Sequence, residues 1–220
     1  MKNVPIATLL LGLFFLGGLG VVVSSEFFNS DSSIGAADAS ANLPTDRGVE
    51  SDDWSFELVN GQRLHPFDDA QTKAVVIVFA ATDCPIANAY QPVLREMSDA
   101  YSSRGIQFLL VYPSLEATVG DLTKHSADFE IDLPMVLDDT LEIAKRFNAE
   151  VTPEVFVFRP GVSQPVYRGS IDDQYAAYGK KRPVAKQQFL MDAIDSVLAG
   201  EPISCPTTRP VGCFISFDEL

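Results

Sequence analysis

Cysteine and histidine are scarce in this 220-residue sequence, and their spacing excludes the common zinc motifs. The three cysteines, Cys84, Cys205 and Cys213, contain no C-x-x-C pair, and His65 and His125 form no H-x-x-x-H motif. The acidic residues show no EF-hand or other dense ligand set. We therefore expect the protein to hold neither a metal ion nor a cofactor.

Basic residues are also few, with 16 Lys and Arg against 30 Asp and Glu, and the formal net charge is −14. A protein that neutralises phosphates needs clustered Lys and Arg, so this balance excludes nucleic acid as a partner. It also argues against docking on anionic lipid by charge. Hydrophobic residues make up 46% of the chain, which is enough for a packed core.

One long apolar run without charge follows Lys2 and extends over residues 6–23. At about 18 residues, it lies between the h-region of a secretory signal and a membrane-spanning helix. We predict that residues 1–24 are an N-terminal membrane anchor, with a cleaved signal peptide as the alternative. The anchored protein would face the periplasm or the extracytoplasmic side. After cleavage it would be secreted or periplasmic.

The rest of the chain divides into three segments. Residues 25–52 are rich in Ser, Ala, Asp and Gly and predict a flexible acidic linker. Residues 53–200 are expected to form the folded domain. Residues 201–220, here called the C-terminal tail, show no periodicity and contain Cys205 and Cys213.

The apolar pattern of the domain alternates between strands and helices. Asn60-Gly61 predicts a hairpin, and two continuous β-branched runs predict buried strands. The predicted strands cover 74–80, 106–112, 154–158 and 165–169, and the predicted helices cover 90–101, 118–129, 141–147 and 184–198. This order predicts an α/β fold with a mixed central sheet and helices on both faces.

The segment 79–94 has the order strand, turn, cysteine, helix. A thiol at a helix N-terminus meets unpaired backbone N–H groups and the positive end of the helix dipole, which stabilise a thiolate. Since the thiolate is the nucleophile, we predict that Cys84 is the catalytic nucleophile. Asp83 either opposes this by raising the thiol pKa or accepts a proton. A buried, inert cysteine is the alternative interpretation.

The dipeptide Thr152-Pro153 precedes the predicted strand at 154–158. Proline is tolerated at the start of a strand because no ladder N–H is needed there. The sharper interpretation is a cis-proline, a conformation that a chain retains for a reason.

These segments resemble the thioredoxin-like superfamily. FAATDCPI is similar to the FWATWCPPC signature of exported thiol reductases and redoxins, and Thr152-Pro153 resembles the cis-proline loop that faces the active cysteine. Further matches to bacterial redoxin-domain (AhpC/TSA-like) proteins are Cys84-Pro85-Ile86, Asn88, Tyr90, Pro92, Thr152-Pro153-Glu154, Tyr167, Gly169, Ile171-Asp172-Asp173 and Gly212-Cys213. The resemblance covers residues 54–198 and implies a thioredoxin-like three-layer α/β/α fold with Cys84, Thr152 and Pro153 at the site.

The sequence departs from these families at their reactive positions. Ala87 replaces the second cysteine of C-x-x-C, so no dithiol can form within the motif. Ile77 and Ala81 occupy the Pro and Thr places of the peroxiredoxin pattern, and the expected arginine is replaced at Thr152-Pro153. Arg168 either supplies charge near the site or is a plain surface residue.

Cys213 is a candidate for the missing second thiol. A C-terminal cysteine can fold back and resolve a mixed disulfide or a sulfenate. A structural Cys205–Cys213 disulfide is an equal alternative in an oxidising compartment. The acidic motif IDDQY, residues 171–175, is interpreted as a solvated loop.

The sequence thus predicts an exported thiol-dependent redox protein, either a thiol-disulfide oxidoreductase or a thiol peroxidase. Its partners would be a protein thiol or disulfide, or a peroxide, together with an unknown electron donor. A copper-binding accessory protein that uses cysteines and His125 is one alternative, because soft thiolates suit Cu(I). A redox-inactive binding module is another, since fold alone does not determine function.

Overall fold

The computed structural model describes residues 54–217 of the chain. The predicted anchor and linker lie outside these residues. Within 54–217, no helix has the length and apolar character needed to cross a membrane.

A five-stranded mixed sheet forms the centre of the domain, in the order β5-β4-β3-β7-β8. Strands β3 (Ala74–Phe79), β4 (Ile106–Pro113) and β5 (Met135–Asp138) are parallel. Strand β7 (Glu154–Phe158) runs antiparallel to β3 and to β8 (Tyr167–Gly169). Every residue of β3 and β7 is buried, as expected of strands covered on both faces.

Helices cover both faces of this sheet. Helices α1 (Pro85–Tyr101), α2 (Val119–Asp128) and α4 (Phe189–Ala199) contribute to the apolar core on one face. Helix α3 (Glu142–Phe147) packs on the other face with an aromatic cluster around Trp54. The predicted three-layer α/β/α fold with a mixed sheet is therefore confirmed.

Three pairs of short antiparallel strands complete the fold. Strands β1 (Phe56–Glu57) and β2 (Arg63–Leu64) form the hairpin predicted at Asn60-Gly61. Strand β9 (Tyr175–Ala177) pairs with β10 (Lys180–Lys181). Strand β6 (Val151–Thr152) pairs with β11 (Cys213–Phe214), which lies in the C-terminal tail. The pairing of β11 with β6 brings a tail cysteine to the edge of the domain.

The start of one helix and the presence of one strand of the central sheet differ from the sequence predictions. The predicted helix at 184–198 begins only at Phe189, because the Asp173 carboxylate accepts the backbone N–H groups of Lys186 and Gln187 and holds that segment outside the helix. Strand β5 was not predicted, since four residues are too few to show a period in the sequence.

The interpretation of IDDQY as a solvated loop is wrong. Asp172 is buried, and its carboxylate accepts hydrogen bonds from the Tyr90 hydroxyl on α1 and from the Gln174 backbone N–H. The motif therefore joins the loop before α4 to the helix that begins after Cys84.

Candidate functional site

Cys84 is the N-cap residue of α1, and its side chain is completely buried, with 0% exposure. Its Sγ accepts the backbone N–H of Ala87 at 3.5 Å. Pro85 occupies the first turn, where a missing N–H costs nothing. The Asn88 side chain donates to the Thr82 carbonyl at 2.9 Å and fixes the turn that precedes the cysteine. The strand-turn-cysteine-helix order predicted from the sequence is thus observed.

The loop between β6 and β7 contacts this thiol. The Thr152–Pro153 peptide bond is cis, which confirms the sharper interpretation of that dipeptide. The Cys84 thiol donates to the Thr152 carbonyl oxygen, with 3.0 Å between sulfur and oxygen. The loop therefore lies directly against Cys84.

The C-terminal tail lies on the same loop. Cys213 pairs with Thr152 and Phe214 with Val151, and the Ile215 N–H donates to the Glu150 carbonyl at 2.9 Å. At Gly212 an added Cβ would lie 2.0 Å from the Thr152 carbonyl oxygen. Only glycine allows the tail this close approach.

A second contact fixes the beginning of the tail along β8. The Arg168 N–H donates to the Pro206 carbonyl, and the Thr208 N–H donates to the Arg168 carbonyl, each at 3.0 Å. A Cβ on Gly169, whose φ is +137°, would lie 2.2 Å from Thr208 Oγ1. The tail is thus held at β8 before residues 210–212 and at β6 after them.

The thiols of Cys84 and Cys213 lie close enough for each to shift the pKa of the other. Burial alone would raise the pKa of the Cys84 thiol. Hydrogen bonds from the side chains of Cys213 and Thr152 and from the backbone of Ala87 and Cys213 outweigh burial, so the pKa of Cys84 lies below its ordinary value. This shift favours the nucleophilic thiolate at Cys84.

The partner thiol is shifted in the opposite direction. Burial, then the hydrogen bond and charge of Cys84, raise the pKa of Cys213 to about 12, and the charge of Asp83 adds to the increase. Asp83 is exposed, and its charge acts on Cys213. Its opposing effect on Cys84 stays a prediction.

All three cysteines are free thiols in the structure. Cys205 is exposed, and its Sγ donates to the Thr207 carbonyl at 3.5 Å. The thiol that meets Cys213 is that of Cys84. Of the predicted site residues, the structure brings Cys84, Thr152, Pro153 and Cys213 together.

Arg168 is neither a charge beside Cys84 nor a plain surface residue. Its Nη2 lies 2.7 Å from Oε1 of Glu154, which is 1% exposed, and it also donates to the Asn148 carbonyl. The other carboxylate oxygen of Glu154 accepts the Glu150 N–H at 2.8 Å. This ion pair holds the cis-proline loop from the face opposite Cys84.

A cavity of about 640 Å³ lies beside Cys213 and Thr152 and was not predicted from the sequence. The lining comes from the segments after β3 and β5, from the end of β4 and the segment after it, from α2 and β6, and from the end of the tail. The lining residues are Ala80, Ala81, Thr82, Asp83, Tyr112, Pro113, Ser114, Leu115, Glu116, Ala117, Leu122, Asp139, Thr152, Cys213, Phe214, Ile215 and Ser216. Ligands of α/β sheets bind at the carboxyl ends of parallel strands, so the predicted ends of β3 and β4 were the sequence signal that could have located this cavity. A second cavity, of about 530 Å³, lies beside α3 and is lined by none of the cysteines.

The residues proposed for copper are not gathered into a site. Within 54–217 there is no group of three or more His, Cys, Asp or Glu side chains able to hold a metal ion. His125 is buried on α2, with its ring centroid 5.7 Å from that of Tyr112 and 4.7 Å from that of Phe129. Burial lowers the pKa of His125. The ring therefore packs in an aromatic cluster with Tyr112 of β4 and with Phe129, which follows α2.

Together, the three-layer fold, the cysteine that begins α1 and the cis-proline against it define a thioredoxin-like protein. The AhpC/TSA family matches residues 52–163, just over half of the chain, and the protein belongs to that family. Among curated proteins, none matches the sequence.

Solved structures share this fold. An uncharacterised conserved protein from Geobacillus kaustophilus is 25% identical, with 76% of this chain and 90% of that chain covered and a TM-score of 0.62. A hypothetical protein from Sinorhizobium meliloti 1021 is 19% identical, with 76% and 91% covered and a TM-score of 0.66. A putative thiol:disulfide interchange protein DsbE from Chlorobium tepidum is 17% identical, with 66% and 92% covered and a TM-score of 0.51.

Proposed function

We propose that the protein is an exported thiol-disulfide oxidoreductase that cycles between a Cys84/Cys213 dithiol and a Cys84–Cys213 disulfide. The observation on which this proposal rests is the position of both cysteines at Thr152: Cys213 pairs with Thr152 where β11 lies on β6, and the Thr152 carbonyl accepts the Cys84 thiol. The cysteine missing at position 87 is thus replaced by one from the tail. Family membership and the cis-proline loop support the same class of chemistry.

The reaction would proceed by two thiol-disulfide exchanges. The Cys84 thiolate attacks one sulfur of a substrate disulfide, the substrate S–S bond breaks, and the other substrate sulfur leaves as a thiolate. Cys213, after losing its proton to the leaving thiolate or to water, attacks Cys84 Sγ and releases the first substrate sulfur. The substrate gains two electrons, and the protein becomes a disulfide.

Access to Cys84 requires that β11 leave β6. Cys84 has no exposed surface while the tail covers it, and the strand pair is only two residues long on each side. A two-residue ladder is short enough to open without disturbing the five-stranded sheet. Thr152 would then be free to contact the substrate.

Disulfide exchange is favoured over peroxide reduction by the surroundings of Cys84. The groups that lower its pKa are Cys213, Ala87 and Thr152. No Lys or Arg is among the described residues that line the cavity beside Cys213 and Thr152. Arg168 is occupied by Glu154. A cation that would polarise a peroxide O–O bond is therefore lacking at this thiol in the described part of the chain.

The test uses the full-length protein in detergent. After oxidation, peptide mapping without reduction should find a Cys84–Cys213 bond, and insulin reduction should be lost in Cys84→Ser and in Cys213→Ser. Cys205→Ser is the matched control and should retain activity, because Cys205 is exposed and away from the thiol pair. A Cys205–Cys213 bond with free Cys84, or turnover that does not depend on Cys84, would contradict the proposal.

Export and membrane attachment are tested separately in intact cells. The exposed Cys205 should react with a membrane-impermeant maleimide before lysis, and the protein should sediment with membranes. Labelling of Cys205 only after lysis would place the domain on the cytoplasmic side. Labelling before lysis without sedimentation would instead indicate the cleaved, secreted form.

A further inference from the structure

Only one of the two reactive cysteines lines the 640 Å³ cavity. Cys213 and Thr152 line it, and Cys84 does not. Cys84 has no exposed surface, whereas Cys213 is partly exposed. A molecule in the cavity therefore contacts Cys213 and not Cys84.

We propose that this cavity is the entry site of the electron donor, a neutral or cationic thiol that reduces the protein by attacking Cys213. The inference rests on the proposed function, because it takes the Cys84–Cys213 disulfide as the oxidised form. It adds which sulfur the donor attacks and which charge the donor has.

The reducing step is an exchange in which atoms and electrons balance. The donor thiolate attacks Cys213 Sγ, a donor–Cys213 disulfide forms, the Cys84–Cys213 bond breaks, and Cys84 leaves with the electron pair as a thiolate. A second donor thiolate attacks the donor sulfur of that mixed disulfide and releases Cys213, which takes up a proton. Two donor thiols become one donor disulfide, and the protein regains two thiols.

The hydrogen bonds around Cys84 favour this direction of attack. A sulfur leaves faster when its thiolate is more stable. The leaving thiolate of Cys84 is stabilised by the backbone of Ala87 and of Cys213 and by the side chain of Thr152, which stay in place when Cys213 Sγ is bonded to the donor. The pKa of Cys213 is raised. Breaking the disulfide with Cys84 as the leaving group is therefore the easier route, and it coincides with the accessible sulfur.

The lining of the cavity selects the charge of the donor. Asp83, Glu116 and Asp139 line it, and no Lys, Arg or His is among its lining residues. Like charges repel and opposite charges attract, so these carboxylates disfavour an anionic thiol and attract a cationic one. The overall charge of −14 acts in the same direction.

Tyr112 supplies a further observation that points to a bound group. It lines the cavity at the end of β4 and is 1% exposed, and its buried hydroxyl has no hydrogen-bond partner within residues 54–217. A buried hydroxyl without a partner costs free energy, which a bound polar group would recover. We expect this hydroxyl to donate to or accept from the donor molecule.

The site of attack is tested with oxidised full-length protein carrying Cys205→Ser. The protein is mixed with excess cysteamine in the presence of iodoacetamide, which alkylates whichever cysteine is released, and the products are mapped by mass spectrometry. The expected product has cysteamine on Cys213 and the alkyl group on Cys84, in about tenfold excess over the reverse. The reverse product, or an equal mixture, would overturn the inference while leaving the proposed disulfide cycle intact. Failure to form the Cys84–Cys213 bond at all would overturn both.

The charge selection is tested by comparing cysteamine, 2-mercaptoethanol and mercaptoacetate, with rates corrected for the thiolate fraction of each. We expect the corrected rate to be highest for the cationic thiol, lower for the neutral one and lowest for the anionic one. In Glu116→Gln the ratio of the cationic to the anionic rate, here called the span, should be about threefold smaller. Asp99→Asn, which changes an exposed carboxylate on α1 outside the cavity, is the matched control and should leave the span unchanged. Equal rates for the three thiols, or the same loss in both variants, would contradict the charge assignment.

Tyr112→Phe separates binding from structure. Because the hydroxyl has no partner in the described part of the chain, its removal should leave the free energy of unfolding unchanged or slightly higher. The rate of reduction by 2-mercaptoethanol should nevertheless fall by about threefold. An unchanged rate in a variant of unchanged stability would remove Tyr112 from the proposed entry site.

Discussion

Cys213 lies directly opposite Thr152 in an antiparallel strand pair, and Thr152 is the residue that precedes the cis peptide bond. The same Thr152 carbonyl accepts the Cys84 thiol. The backbone of one residue therefore brings together two cysteines that are far apart in the sequence. At position 87, where a second motif cysteine is absent, the chain contributes a backbone N–H to Cys84 instead.

This arrangement predicts that Gly212→Ala will separate the two thiols. An alanine Cβ would lie 2.0 Å from the Thr152 carbonyl oxygen and 2.5 Å from its carbon, and backbone atoms cannot yield at that distance. The tail must then leave β6. We expect the Cys84–Cys213 disulfide to form more slowly by about tenfold or more, and Cys84 to be alkylated faster.

Gly120→Ala is the matched control, because neither glycine has a positive φ and a Cβ at Gly120 meets only Thr118 Oγ1 at 3.5 Å. Both rates are followed by quenched alkylation and mass spectrometry. Wild-type rates in Gly212→Ala would show that the close approach of the tail is not needed.

The opposite pKa shifts of the two thiols predict a titration in two well-separated steps. Hydrogen bonds outweigh burial at Cys84 and lower its pKa, while burial and the Cys84 contact raise that of Cys213 to about 12. In reduced Cys205→Ser, the thiolate absorbance should rise first below the ordinary thiol pKa and again near pH 12. Cys213→Ala removes the leading hydrogen bond and should move the first step upward. A single step at the ordinary pKa would contradict the shifts.

The same shifts set the pH dependence of stability in the reduced protein. A lowered thiol pKa contributes stability that is present above the unfolded value, about 8.5, and is lost as pH falls through the folded pKa. A raised thiol pKa contributes stability that is lost as pH rises from about 8.5 toward 12. The second substitutions are made in Cys205→Ser, and the free energy of unfolding is measured by denaturation as a function of pH. Cys84→Ala should remove the gain in this free energy on the alkaline side of the Cys84 pKa. Cys213→Ala should weaken the loss above about pH 9.

Sequence patterns predicted most of the fold because the elements that matter are long and strongly patterned. The runs of β3 and β4 are apolar throughout, and α1 has a clear helical period. Strand β5, with four residues, lacks such a pattern. The start of α4 depends on Asp173, a carboxylate outside the helix, which no local pattern contains.

The candidate site was predictable in its residues but not in its contacts. Cys84 and Pro153 were indicated by motifs, and Cys213 by the lack of a cysteine at position 87. The choice between Cys84 and Cys205 as its neighbour depends on the path of the tail. That path is determined by long-range contacts at Gly169 and Gly212, where a side chain would clash.

A hydrogen bond between Tyr90 and Asp172 connects the helix of Cys84 to the loop before α4. In Tyr90→Phe the buried Asp172 retains only the Gln174 N–H, so the free energy of unfolding should fall by about 1–3 kcal/mol. Tyr178→Phe, at a residue 70% exposed, should change it little. Chemical denaturation of both variants decides the matter, and an equal effect in the two would show that the Asp172 contact contributes nothing.

The ion pair between Glu154 and Arg168 should be necessary for the cis-proline loop. Glu154 is 1% exposed, so Arg168→Leu leaves a buried charge without its partner and should destabilise the fold by about 3 kcal/mol. The double variant Glu154→Gln/Arg168→Leu removes that charge and should recover part of the loss, whereas a simple packing defect would not be relieved. Lys124→Ala, which breaks an exposed pair with Asp128, should cost at most about 0.5 kcal/mol.

Because the Glu154 carboxylate also accepts the Glu150 N–H, the loss should extend to the site and slow formation of the Cys84–Cys213 disulfide in Arg168→Leu. Denaturation and disulfide-formation rates measured on the same three variants test both effects, and wild-type values for Arg168→Leu would show that the loop does not depend on the pair.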